Sequence, residues 1–218
     1  MKRALWPWIK RGAFTIAALF ALIAISSALV LLWEEHRLAQ FSRTHLRPLL
    51  FDASNPVLTD AHALLARLQN PKAASSLQFA AMPSFGKRWF AISLSETGPR
   101  SIGEVIITTP AGQVLRKDTF VVPGDDLASF LRQWDEITDG YSGEGRILTD
   151  GNPLAFERRR DGAISSGEGN SPCHYDVLGD LAARALGQYV PELADLRDPT
   201  LPAILQSKLC KRSIFVWR

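Results

Sequence analysis

The residues best equipped for chemistry gather in residues 167–176, GEGNSPCHYD. Cys173 follows Pro172 at the start of a helical pattern, where exposed backbone amides lower a thiol pKa and favour the thiolate. His174 is its sequence neighbour. Successive helical residues point about 100° apart, so His174 is poorly placed as a base for that thiol. The other cysteine of the chain is Cys210. In an oxidising compartment the two would form a disulfide, closing a loop of roughly 37 residues and adding about 4 kcal/mol. An inert buried thiol and a reactive nucleophile are the alternatives.

Other groups offer less. Glu168 could pair with Asp150 or Asp176 as general acid and base, although turns and caps use the same residue types. Arg158 and Arg160, in the run Glu157–Arg160, could hold an anion or a lipid headgroup; a solvated strand face is the competing reading. Together with Glu168, Asn170 and His174 they make up the candidate ligand or partner site. Gly167-x-Gly169 lacks the Lys-Ser/Thr that follows in a phosphate loop. No G-x-S-x-G is present. The histidines, His36, His45, His62 and His174, do not cluster at metal-ligand spacing. No catalytic residue, metal ligand or cofactor-binding residue is assigned, and no cofactor is expected.

These groups belong to a chain organised by residues 12–33, GAFTIAALFALIAISSALVLLW, which hold no charge. As a helix, this run would be about 33 Å long, against a hydrocarbon core of about 30 Å. Thr15, Ser26 and Ser27 can return their hydroxyls to carbonyls one turn earlier. Trp6, Trp8 and Trp33 suit the interfaces. Lys2, Arg3, Lys10 and Arg11 precede the run; Glu34, Glu35, His36 and Arg37 follow it. The positive-inside rule then puts residues 1–11 in the cytoplasm as a basic tail and the C-terminal domain outside. A cleaved signal peptide, cut after Ser26-Ser27-Ala28, is the rival reading. It would leave the apolar LVLLW at the new terminus, which favours an uncleaved, single-pass anchor in the inner membrane.

Charge agrees with that division. Four of the 25 Lys and Arg, and none of the 22 Asp and Glu, precede Glu34, leaving 21 bases against 22 acids in the rest. The basic pI is therefore a topology signal, and nucleic-acid binding is not expected. The expected partners are the lipid bilayer and another envelope protein.

Downstream, residues 34–55 read as a juxtamembrane stalk and 56–218 as the domain. Asn55-Pro56 caps and starts a helix, with Val57, Leu58, Ala61, Leu64, Leu65 and Leu68 on one stripe. Strands are expected at 77–81, 88–95, 104–109 and 113–122, the last two joined through Pro110-Ala111-Gly112. Pro123-Gly124-Asp125-Asp126 opens a helix with Leu127, Phe130, Leu131, Trp134 and Ile137 on one face. Residues 153–167 form a hairpin around Asp161-Gly162, a type I′ signal, with the charges of 157–160 alternating at a strand end or edge. Asn170 or Ser171 caps the next helix, which carries Tyr175, Leu178, Leu181, Ala182, Ala185 and Leu186 and stops at Gly187. Residues 191–202 read as surface connection and 213–217 as a last strand. The fold class is α+β: one N-terminal transmembrane helix, then an extracytoplasmic domain of antiparallel β-hairpins packed with helices.

From residue 88 to 193 the layout resembles uncharacterised bacterial single-pass envelope proteins. The carrying residues are Asp150-Gly151, Phe156-Glu157-Arg158, Asp161-Gly162, Gly169-Asn170 and the helix from Tyr175; the resemblance implies no activity. Residues 5–117 also resemble PepSY-type membrane proteins, in which a basic Trp-containing start and a span lead to a helix and strands ending near a D-P-x-T-G-x-V turn. Here the turn reads Thr109-Pro110-Ala111-Gly112-Gln113-Val114. That resemblance implies an envelope role in peptidase inhibition or metal-uptake accessories. The function expected is a membrane-anchored extracytoplasmic binding or accessory protein. The alternatives are a thiol-dependent enzyme using the Cys173 loop and an anion- or lipid-sensing domain.

Overall fold

The structure, a computed structural model, describes residues 19–30, 32, 48–69, 73–138, 151–170 and 174–199. The chain divides into two compact units, Met1–Gln40 and Phe41–Arg218.

In the first unit, residues 19–30 are helical (α1) and every one of them is exposed. Ser26 Oγ donates to the Leu22 carbonyl at 2.8 Å and Ser27 Oγ to that of Ile23 at 2.9 Å, the one-turn return expected from the sequence. Among the described residues no helix is long and apolar enough to cross a membrane. The described twelve residues of α1 would reach about 18 Å at the helical rise.

The second unit is α+β. Its described strands are β1 (Ser76–Ala81), β2 (Trp89–Ser95), β3 (Arg100–Thr108), β4 (Val114–Pro123), β5 (Leu154–Arg160) and β6 (Ala163–Gly169). They form one antiparallel sheet in the order β4-β3-β2-β1-β5-β6. The helices are α2 (Pro56–Leu65), α3 (Gly124–Thr138) and α4 (Tyr175–Leu186), followed by a 3-10 segment, Pro191–Leu196. Because strand residues alternate between faces, the sheet has two different surfaces, each with its own core.

On one surface Leu77, Phe79, Phe90, Ile92, Leu94, Val105, Ile107, Leu154 and Phe156 meet α3 and α4. Trp134 of α3 lies at its centre, with ring centroids 5.2–5.7 Å from those of Phe79, Phe130 and Phe156. The 3-10 segment closes this core with Leu193 and Leu196, so residues 191–196 are not the surface connection expected. Ion pairs hold its polar side to the sheet: Arg88 grips Asp195 through two contacts of 2.7 Å, and Arg116 reaches Glu192 at 2.8 Å.

On the other surface Ala155, Ala80 and Ala91 stand in one cross-strand row. Their small side chains let α2 lie close, with Leu58, Ala61 and Leu64 buried against them. Asn55 caps α2 as expected, its Oδ1 accepting from the Val57 and Leu58 amides at 3.0 and 3.4 Å.

Elsewhere, local signals and structure agree in part. Asp161 and Gly162 both take positive φ, 50° and 80°, as a type I′ turn requires. β6 runs on to Gly169, beyond the hairpin expected. The residue at the N-cap of α4 is His174, not Asn170, and its side chain makes no capping hydrogen bond. The helix stops at Gly187 in a right-handed conformation, φ −61°. The charges of 157–160 fall at the C-terminal end of β5, one of the two placements expected, but the strand is internal, flanked by β1 and β6, and is not an edge.

Candidate functional site

The run Glu157–Arg160 is split by the sheet. Arg158 and Arg160 face α3; Glu157 and Arg159 face α2. Toward α3, Arg158 is buried and makes a fork-on-fork pair with Asp135: Nε to Oδ1 at 3.0 Å and Nη2 to Oδ2 at 3.1 Å. Its Nη1 donates to Ser75 Oγ and to the Ser76 and Arg159 carbonyls. Arg160 reaches Asp135 Oδ2 at 3.1 Å. One carboxylate therefore holds both arginines, and the cluster read as an anion site is an internal ion-pair network.

The remaining expected site residues are dispersed. Glu168 points to the α2 face, where its Oε1 accepts from Asn55 Nδ2 at 2.8 Å and steadies the cap residue. Asn170 is buried after β6, with its carbonyl against Gly151, whose φ of 134° suits glycine. His174 precedes α4. Cys173 and Cys210 lie outside the described residues, as do Asp150 and Ser171. The glycines of the GEG motif are explained by packing: a side chain at Gly169 would run into the Tyr175 ring, and one at Gly167 into the Phe156 ring and the Tyr175 hydroxyl.

What the sequence alone did not disclose lies on the α2 face. Pairing registers align Ser166, Glu157, Gln78, Ser93, Glu104 and Thr119 in a polar row across all six strands. Two carboxylates in it anchor backbone that crosses the sheet. Glu104 Oε2 accepts from the Gln69 amide at 2.7 Å, just beyond α2. Glu157 Oε2 accepts from the Leu49 amide at 3.2 Å, while its Oε1 takes a 3.3 Å contact from Arg159 Nη2. Between these anchored segments is a cavity of about 400 Å³. Gln78, Glu157, Arg159 and His62 supply its polar lining; Pro48, Leu49, Leu65, Ala66 and Leu68 supply the rest.

No protein-family model, curated protein or solved structure matches this chain. The site must therefore be judged on its own chemistry. It offers a carboxylate, a guanidinium, a carboxamide and an imidazole beside aliphatic walls, which is equipment for binding. Among the described residues, no three His, Cys, Asp or Glu side chains are grouped to hold a metal. The only sequence clue to the cavity is the alternation of Glu157 and Arg159; its other walls come from distant segments.

Proposed function

We propose that the chain is a membrane-anchored accessory protein whose outer domain binds another envelope protein from the extracytoplasmic side. The observation that carries this reading is α1. Leu19, Phe20, Leu22, Ile23, Ile25, Leu29, Val30 and Leu32 are each more than half exposed. They belong to a 22-residue stretch without charge. Water is a poor solvent for such a surface, at about 25 cal/mol for each Å² of apolar area, and lipid is a good one. The serine hydroxyls are already satisfied within the helix, so they do not oppose burial in hydrocarbon. The four bases before the run support a cytoplasmic N-terminus.

The binding reading has support from the domain. Edge strand β4 exposes Val114, Leu115 and Val121, and Val121 is paired with an equally exposed Ile102. An edge strand with no described strand on its outer side and exposed apolar residues near both ends is a surface on which a partner chain can add. The anion-sensing alternative loses its motivation because Asp135 already occupies Arg158 and Arg160.

Alkaline carbonate extraction of membranes tests the anchor. The full chain stays in the pellet, and an Ile25→Arg variant shifts toward the supernatant. A wild-type chain released by carbonate contradicts the reading.

A further inference from the structure

The cavity on the α2 face has recognition chemistry that neither the anchor nor the fold requires. The guanidinium of Arg159 has one hydrogen-bond partner among the described residues, Glu157 Oε1, and a single N–H of its donor fork makes that contact. Gln78 donates through Nε2 to the Gln69 carbonyl at 3.4 Å, which leaves its Oε1 as an acceptor. Glu157 retains lone-pair capacity beyond its contacts to Leu49 and Arg159. Donors for an anion and acceptors for an N–H thus share one floor. Leu49, Leu65 and Leu68 supply an aliphatic wall beside them. The volume, about 400 Å³, lies within the range of about 300–1,000 Å³ common to small-ligand sites.

We infer that this cavity binds an apolar α-amino-acid unit bearing a free carboxylate. The carboxylate pairs with the unused N–H groups of Arg159, the adjacent N–H donates to Gln78 or Glu157, and the aliphatic side chain lies against the leucines. A free amino acid and the C-terminal residue of a peptide both present this chemistry. The inference extends the binding reading above and does not depend on the anchor, since every group involved lies in the domain.

Calorimetric titration of the full chain in detergent micelles tests it. The probes are leucine, N-acetyl-leucine and a short peptide ending in leucine, each compared with its carboxamide counterpart. Binding of at least one carboxylate probe, with its amide at least tenfold weaker, is the expected result. Leucine binding alone identifies a free amino acid as the source; peptide and N-acetyl-leucine binding identifies a chain terminus. Arg159→Gln weakens the carboxylate probe at least tenfold without changing its amide, and Gln78→Leu provides a second variant if Arg159→Gln does not fold. No heat from any carboxylate probe at millimolar concentration, or equal binding of acid and amide, overturns the inference. Because carbonate extraction reads the anchor and calorimetry reads the cavity, either can fail without the other.

Discussion

Helices α1 and α3 are both rich in large apolar side chains, yet they meet their surroundings in opposite ways. In α3, Leu127, Phe130, Leu131 and Trp134 recur at helical spacing and are buried, while Asp125, Asp126, Arg132, Gln133 and Glu136 face water. That sequence specifies both a core side and a solvent side. In α1 the described residues carry no charge and are exposed on every side. A helix apolar all round has no side suited to water. Helix α3 buries its apolar face in the core of its own unit, whereas the described residues of α1 show no such division into two faces.

Breaking the core side of α3 should have the largest effect. Trp134→Ala is expected to destabilise the domain by about 3–5 kcal/mol, from lost burial and the cavity left among Phe79, Phe130 and Phe156. Denaturant unfolding checks this. Asp135→Ala strips the partner from buried Arg158 and should cost about 3 kcal/mol. An Asp135→Ala, Arg158→Met double variant should recover part of that loss, because the orphaned charge is then gone. Asn55→Ala removes the cap of α2 and should cost about 1 kcal/mol. In all four variants, carbonate extraction should be unchanged, since α1 is untouched.

The smallest effect is on pH dependence. Burial holds the Tyr189 phenol above its ordinary pKa of about 10, and the charge of Asp126 adds to this. Its ring stacks on that of Phe120, with centroids 5.8 Å apart. A folded pKa above the unfolded value contributes stability that is present below pH about 10 and is lost as pH rises through the folded value. Tyrosinate absorbance should show a late-titrating phenol that disappears in Tyr189→Phe. That variant should also lose less stability than the wild type over the same alkaline range.

The parts of the fold legible in sequence have determinants within a few residues of one another. Asn55-Pro56 fixes the start of α2, and Asp161-Gly162 fixes the β5–β6 turn. The internal position of β5 was not legible, because a run of three arginines reads as solvated. Its burial depends on Asp135, contributed by a helix that precedes it by some twenty residues. Residues 191–196 look like a polar connection, yet Leu193 and Leu196 complete the core while Glu192 and Asp195 pair with arginines at the start of β4 and beside β2. The cavity gathers side chains from the segment before α2, from α2 itself and from two strands. No single stretch carries its pattern; only the strand register unites Gln78 with Glu157.

The anchor is tested most directly by protease treatment of cells producing the full chain with a C-terminal tag. The account predicts that the tag survives in intact cells and is removed in spheroplasts, while the chain remains with the inner membrane until digested. A tag protected in spheroplasts but lost on lysis, or a chain found intact in the soluble fraction, would contradict it.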